Sequence, residues 1–230
     1  MKPTLYICGD SFCSIDPSYG KNWTELIADA CPHVNVVNLA SPGASNYLIF
    51  LQVQHALSQN CNYLIYQATS SMRQEFVLNH GQHTRDNIDR YWNACFPDRT
   101  KPLVCTTWTS VSRNTEQTFT ANDYQEIKNY FLKFIDLPSM IEKNYIFIYH
   151  TLRTLSENKN LTNWAWSRGG FEHRLFNTVN EWDFSAWQDK HCDINLWDHY
   201  DNTLARPFYH VTDNAIKQSI CDTYINMLNL

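Results

Sequence analysis

The sequence predicts an α/β fold built around a mainly parallel β-sheet. Within the first 68 residues, three short apolar segments typical of buried strands alternate with two segments of helical periodicity. Parallel neighbours need a crossover between them, so this alternation indicates consecutive right-handed β-α-β units. The five elements follow in the order strand 4–8, helix 22–30, strand 34–40, helix 45–57 and strand 62–68. We expect the first strand to be central, because its apolar, β-rich run suits a sheet that is covered on both faces.

Spacing and capping define the two helical segments. In the first of them, apolar residues such as Trp23 and Ile27 recur at intervals of three and four, and Asn22 can act as the N-cap. The second repeats this period, with Leu48 and Ala56 among the residues that we expect to face inward. Both segments are therefore predicted to be amphipathic crossover helices.

Two longer stretches interrupt the regular pattern, and we interpret them as insertions: the polar residues 72–120 and the tryptophan-rich residues 151–190. Four further elements are predicted around them: helix 123–135, strand 145–150, strand 192–197 and a closing helix 213–228. The length suits one domain over residues 1–230. Long ordered insertions at the active-site end of a sheet often act as lids, so we expect the two insertions to form a cap there.

Composition argues against several classes of partner. The 230-residue chain has a net charge of -5 and a sequence pI of about 6.0, whereas a duplex-binding surface is usually basic, so we expect no nucleic-acid partner. The sequence contains neither a signal-peptide pattern nor an apolar run of membrane-spanning length, so we expect a chain that is cytoplasmic when made and has no membrane partner. The eight cysteines contain no CxxC pair and are expected to be reduced, mostly buried thiols. Nothing in the sequence indicates an oligomeric state.

Each strand of the first half ends in a short polar loop. The three loops are Gly9-Asp10-Ser11, Ser41-Pro42-Gly43 and Thr69-Ser70-Ser71. Open α/β sheets bind their ligands at the carboxyl ends of the strands, so we expect these loops to meet at a ligand site. His210 stands just before the closing helix. A nucleophilic serine needs a base and oxyanion donors, and Ser11, His210 and the loops together could supply them.

The motifs between Gly9 and Arg73 resemble those of the SGNH/GDSL hydrolases, a family of esterases, lipases and carbohydrate deacetylases. Gly9-Asp10-Ser11 matches the first block of the family, and the run NLASPG, ending at Gly43, looks like the second. The resemblance is best over residues 4–73, weaker over residues 192–230, and closest to SGNH-like proteins of bacteriophages and marine bacteria. It implies a flavodoxin-like three-layer α/β/α sandwich with Ser11 as the nucleophile.

The third block departs from the family pattern. The family ends its third strand with an oxyanion-binding Asn, and this chain has Thr69 or Ser70 there. The resemblance therefore implies an oxyanion hole formed by Ser11, Gly43, and Thr69 or Ser70. Three polar residues of the same segment are further candidates for binding substrate: Asp10, Asn46 and Arg73.

The last block departs further. The resemblance makes His210 the base, but Pro207 stands where the family has the Asp that orients this histidine. We take Asp201 as the candidate orienting carboxylate, with Asp198 and Asp213 as alternatives. A Ser–His dyad helped by a backbone carbonyl is a further possibility.

Two functions from different classes remain open. The first is a serine esterase, for example a carbohydrate O-acetyl esterase, which forms an acyl-enzyme on Ser11 from a small ester or acylated glycan and needs no cofactor. The second is a catalytically inactive SGNH-like binding or structural protein, for example of a phage particle, found in the host cytoplasm or the virion. The retained Ser11 and His210 favour the first, and Pro207 favours the second. Gly-Asp-Ser by itself is also an ordinary strand-ending turn.

Two other groups of residues suggest binding surfaces. Trp164 and Trp166 begin a tryptophan-rich stretch that forms either a small satellite core or a sugar-binding wall above the serine. Asp189, His191 and Asp193 would share one face of a strand and could ligate a metal ion, although a solvated strand edge has the same composition. We expect the solvated edge and no metal.

Overall fold

The computed structural model describes residues 2–14, 20–41, 44–71, 73–77, 103–106, 121–167, 184–193 and 211–230. The strands in these ranges are β1 (Thr4–Cys8), β2 (Asn35–Asn38), β3 (Tyr63–Gln67), β4 (Gln74–Val77), β5 (Leu103–Thr106) and β6 (Asn163–Ser167). The α-helices are α1 (Trp23–Ala30), α2 (Asn46–Ser58), α3 (Ala121–Phe134), α4 (Leu137–Glu157) and α5 (Asn214–Leu228), and a 3-10 helix spans Ser185–Lys190. The predicted α/β class is confirmed.

Four strands form the central sheet in the order β2-β1-β3-β6, and every neighbouring pair is parallel. The prediction of a parallel sheet with residues 4–8 in its interior is therefore confirmed. Cys8 pairs with Tyr66, and Gln67 pairs with Ser167, so the carboxyl ends of β1, β3 and β6 lie side by side. The antiparallel pair β4–β5 lies within the predicted insertion 72–120.

Helices cover both faces of this sheet. Leu5 and Ile7 of β1 belong to a core shared with α1 and α5, whereas Tyr6 and Cys8 belong to a core shared with α2 and α4. Successive side chains of a strand point to opposite faces, so one strand contributes to both cores. This arrangement is compatible with a three-layer α/β/α fold, and it explains why the sequence of β1 is apolar almost throughout.

Polar side chains fix where the crossover and closing helices begin. Asn22 and Glu25 form a capping box at the start of α1. The Ser45 hydroxyl accepts a hydrogen bond from the Leu48 amide in the first turn of α2. Asp213 caps α5 by accepting hydrogen bonds from the first amides of that helix, the closer at 2.7 Å. Such caps satisfy backbone donors that have no partner within the helix. The four helices that the sequence predicts are confirmed with small shifts of their ends.

The strand predicted over residues 145–150 is wrong, because these residues lie inside α4. The buried residues of this helix recur at intervals of three and four, which is helical spacing, and Ile146 within the apolar run is 40% exposed. The buried apolar residues of α4 at these intervals are Ile141, Tyr145, Ile148, Leu152 and Leu155. Neither this 21-residue helix nor any other in the described part of the chain is both long and apolar enough to cross a membrane.

The predicted insertion over residues 151–190 also needs correction, because it contains β6, a strand of the central sheet. Trp164 and Trp166 of this strand retain 7% and 0% of their exposure and pack in the core shared with α2 and α4. Neither ring presents a face to solvent, so the expectation that they form a substrate-binding wall is wrong. Both side chains hold the sheet to its helices.

The predicted strand 192–197 lies mostly outside the described residues. His191, directly before it, makes a parallel bridge with Trp166 on the free side of β6. Asp189 belongs to the 3-10 helix, so it does not share a strand face with His191, whose Nδ1 lies 2.7 Å from Asp193 Oδ1. In the described ranges, no group of three or more His, Cys, Asp or Glu side chains could hold a metal ion.

Candidate functional site

The chain switches direction across the sheet at β1. It leaves β1 for β2 on one side and returns to β3 on the other, so β1 and β3 form the topological switch point. In open α/β sheets the crevice outside the carboxyl ends of two such strands is the usual ligand site. The loops that begin at Gly9 and Ala68 flank this crevice.

Ser11 lies in a tight turn directly after β1. The Asp10 carbonyl oxygen accepts hydrogen bonds from the amides of Cys13 and Ser14, both at 3.1 Å, and the Ser14 hydroxyl donates to the Ser11 carbonyl oxygen at 3.1 Å. Ser11 is half-buried, and its own hydroxyl hydrogen-bonds to none of the residues that the structure describes. The turn is therefore held together without using the Ser11 hydroxyl.

The Asp10 carboxylate joins this turn to the loop after β3. Its Oδ1 accepts a hydrogen bond from the Phe12 amide at 3.0 Å. Its Oδ2 accepts one from the Thr69 hydroxyl at 2.6 Å and lies 2.9 Å from Arg73 Nη1. Asp10 is 2% exposed, so this ion pair and these hydrogen bonds compensate the desolvation of a buried carboxylate.

Arg73 extends the connection to a third loop. The same Nη1 that pairs with Asp10 donates a hydrogen bond to the Ala44 carbonyl oxygen at 2.9 Å, in the loop after β2. One arginine nitrogen thus ties together the loops that follow all three N-terminal strands. We call Asp10, Arg73 and Thr69 the loop clamp.

Two buried amides support the loop after β3 from the helices. Asn46 of α2 accepts a hydrogen bond from the Thr69 amide at 2.8 Å and donates to the Thr69 carbonyl oxygen at 2.9 Å. It also donates to Asn144 of α4, which in turn donates to the Ser71 carbonyl oxygen at 2.9 Å. Because the donors and the acceptor of Asn46 are all engaged and it is fully buried, the expectation that it contacts substrate is wrong.

Gly9 packs too closely against its neighbours to carry a side chain. Gln52 of α2 bonds to both backbone groups of Gly9, at 2.7 Å from the amide and 3.1 Å from the carbonyl oxygen. A Cβ atom on Gly9 would lie 2.7 Å from Cys13 Sγ and 3.2 Å from Gln67 Cβ. The start of the Ser11 loop is therefore fixed by packing as well as by hydrogen bonds.

We expect Gly9→Ala to lower the free energy of unfolding by about 1–3 kcal/mol, the usual cost of overpacking a well-packed interior. Urea denaturation of the variant and the parent protein measures this loss. Adding Cys13→Ala removes the closest contact. The stability lost in the double variant should therefore be smaller than the sum of the losses in the two single variants. A Gly9→Ala protein as stable as the parent would contradict this close packing.

A thiol two residues from Ser11 could in principle compete as the nucleophile. The Cys13 side chain is fully buried and hydrogen-bonds to Gln67 Oε1. Burial, together with the nearby Asp10 carboxylate, raises the pKa of the Cys13 thiol well above its usual value. Since the thiolate is the reactive form, Cys13 is a poor nucleophile here. The half-buried Ser11 is the better placed of the two.

The structure brings several of the predicted site residues together and changes the roles of some. Ser11, Asp10, Thr69 and Arg73 lie in connected loops, with the half-buried Ser70 beside Thr69. The expectation that Asp10 binds substrate is wrong, because Asp10 is buried and bonded within the loop clamp. The single hydroxyl proton of Thr69 is donated to Asp10, so Thr69 Oγ1 does not act as an oxyanion donor in this arrangement.

Three of the predicted residues lie outside the described residues: Gly43, Asp201 and His210. Pro207 and Asp198, one of the two alternative carboxylates, also lie there. The other alternative, Asp213, is described and serves as the N-cap of α5. The contact between Ser11 and His210 therefore stays a prediction.

Gln52 and Asn144 support the site but were not predicted from the sequence. Both are polar residues on the largely apolar buried faces of helices, between Ile49 and Val53 in α2 and between Ile141 and Tyr145 in α4. A buried polar group needs a partner, so a polar residue within an apolar helical stripe is the signal that could have found them.

The sequence matches no protein-family model, and a search of curated proteins finds no similar protein.

Proposed function

We propose that this protein is a serine esterase of the SGNH type, with Ser11 as its nucleophile. One observation carries the proposal: a serine whose hydroxyl bonds to none of the described residues lies on a tightly held turn at the switch point of a parallel sheet. A turn that needs only the backbone of a serine leaves its side chain for another purpose. The loop clamp joins this turn to the loops after β2 and β3, and so supplies the rigidity that precise positioning of a nucleophile requires.

The strand order supports the SGNH resemblance beyond the general α/β class. The order β2-β1-β3-β6 agrees with the first four positions of the flavodoxin-like order 2-1-3-4-5. His191, bridged to the free side of β6, stands where a fifth strand would follow. We infer a flavodoxin-like sheet from this agreement.

In the proposed reaction, the Ser11 hydroxyl attacks the carbonyl carbon of an ester while His210 takes its proton. The tetrahedral oxyanion receives hydrogen bonds from the backbone amides of Ser11 and Gly43 and from Ser70. Collapse of this intermediate releases the alcohol, which takes the proton from His210 and leaves the acyl group on Ser11. Water activated by the same histidine then frees the acid. The substrate is a small ester, with O-acetylated glycans as one class.

A catalytically inactive SGNH-like binding protein is the second candidate. The observation that favours it is the Thr69 hydroxyl, which donates to Asp10 at the place where the family has an oxyanion-binding amide. An oxyanion hole with one donor fewer stabilises the transition state less. Removal of a single donor from the oxyanion hole of another enzyme costs about 2.7–4 kcal/mol.

Release of p-nitrophenol from p-nitrophenyl acetate by the parent protein separates the two candidates. An esterase that works through an acyl-enzyme should give an initial burst of about one equivalent per active site when deacylation is slow. Acetate release from an O-acetylated glycan extends the assay to the second substrate class. The absence of turnover on both would favour the binding protein.

A further inference from the structure

Among the described residues, Arg73 is held through one of its three guanidinium nitrogens. Nη1 donates a hydrogen bond to the Ala44 carbonyl oxygen and forms an ion pair with Asp10 Oδ2, each at 2.9 Å. Nε and Nη2 carry three further N–H donors, and within the described residues none of them meets an acceptor. The side chain keeps 17% of its exposure. The loop clamp therefore accounts for less than half of the hydrogen-bonding capacity of this residue.

These unused donors have a defined geometry. The N–H of Nε and one N–H of Nη2 point in parallel along one edge of the planar guanidinium group, which matches the two oxygens of a carboxylate. Because Nη1 is fixed at two points on two loops, the orientation of this edge is fixed as well. A donor pair that is already ordered loses little conformational entropy when it binds a ligand.

The charges of Arg73 and Asp10 determine which anion suits this position best. Asp10 already compensates the positive charge of Arg73, so a phosphate dianion would bring two uncompensated negative charges to this pair. A single carboxylate brings only one. Arg73 contacts Asp10, and Asp10 directly precedes Ser11 in the chain. A ligand bound by Arg73 would therefore lie near the proposed nucleophile.

We propose that the Nε/Nη2 edge of Arg73 binds a carboxylate on the ester substrate, so that the protein prefers esters that carry one negative charge. The inference rests on the proposed function for the presence of an ester, and on the geometry of Arg73 for the charge. It assigns Arg73 a second role, in which one nitrogen holds the loops and the opposite edge selects the substrate.

Two matched acetyl esters test this proposal: p-acetoxybenzoate, which is anionic, and p-acetoxybenzamide, which has nearly the same shape and is neutral. The ratio of their kcat/KM values is measured for the parent protein and for Arg73→Lys, which keeps the charge but loses the planar pair of donors. We expect the ratio to favour the anionic ester in the parent and to fall about tenfold or more in the variant, the effect of losing a charge-assisted pair. An exposed arginine of α4 that pairs with Glu157 provides the control Arg153→Lys, which should leave the ratio unchanged.

A merely structural role of Arg73 would lower kcat/KM for both esters equally, and an unchanged ratio in Arg73→Lys overturns the proposal. Binding of p-acetoxybenzoate and p-acetoxybenzamide to Ser11→Ala, measured by calorimetry, needs no turnover and no change at Arg73. Tighter binding of the carboxylate by about tenfold supports the proposal even if the protein hydrolyses neither ester. Equal binding of both compounds overturns it whatever the outcome for esterase activity.

Discussion

Ser11→Ala is expected to abolish ester hydrolysis and to leave the fold intact. Removing the nucleophile of a serine hydrolase costs several orders of magnitude in kcat, and His210→Ala should cost nearly as much because the two act as one unit. The Ser11 hydroxyl has no bond to the described residues, so its loss leaves none of their polar groups unpaired. The free energy of unfolding should therefore change by no more than about 0.5 kcal/mol, as for an ordinary surface substitution. Hydrolysis of p-nitrophenyl acetate and a melting curve measure the two effects.

The matched control is Ser58→Ala. This serine lies at the end of α2, is exposed, and donates its hydroxyl proton only to the His55 carbonyl oxygen among the described residues. Its removal should leave turnover at the level of the parent protein. Undiminished hydrolysis by Ser11→Ala would end the serine-hydrolase account, and a large loss of stability would show that the hydroxyl has a structural partner.

Asp10→Asn should give the largest loss of stability among the substitutions in the site. The amide keeps the shape of the carboxylate but leaves the half-buried Arg73 without its counter-ion. Breaking a buried ion pair from one side typically costs about 3–5 kcal/mol. Because Arg73 keeps 17% of its exposure, we expect a value near the lower end, about 3 kcal/mol, from urea denaturation.

The same substitution should also lower esterase activity, because it loosens the turn that positions Ser11. The control is Asp29→Asn, which removes an exposed ion pair with Lys21 whose side chains are more than half exposed. Such surface pairs contribute little to stability, because solvent screens them, so Asp29→Asn should be close to neutral. Equal effects of the two substitutions would contradict the structural role that we give to Asp10.

The sequence predicted the first half of the fold because local signals and tertiary structure agree there. Each of the first three strands is short and has apolar residues at its centre, and each crossover helix has its own cap, such as Asn22. The strand predicted over residues 145–150 fails because a six-residue apolar run has no period that distinguishes a strand from a buried helix. The wider window carries the helical signals: Asp136 as N-cap, Pro138 in the first turn and buried residues at helical spacing.

The location of the site could be predicted from the sequence, but its contacts could be predicted only in part. Polar loops after three successive strands locate it, since the topology of parallel strands brings their ends together. The pairing of Asp10 with Arg73 joins two loops that are far apart in the sequence, and no local pattern encodes it. The same holds for Thr69, whose hydroxyl suits an oxyanion hole equally well until the position of Asp10 is known.

The most direct test of the central claim is covalent labelling by a fluorophosphonate, which reacts with the activated serine of a hydrolase. The parent protein is incubated with the probe and digested, and the modified peptide is identified by mass spectrometry. We predict a single phosphonyl group on Ser11, and no labelling of Ser11→Ala. A parent protein that remains unlabelled, or that carries the label on another residue, would contradict the assignment of Ser11 as the nucleophile.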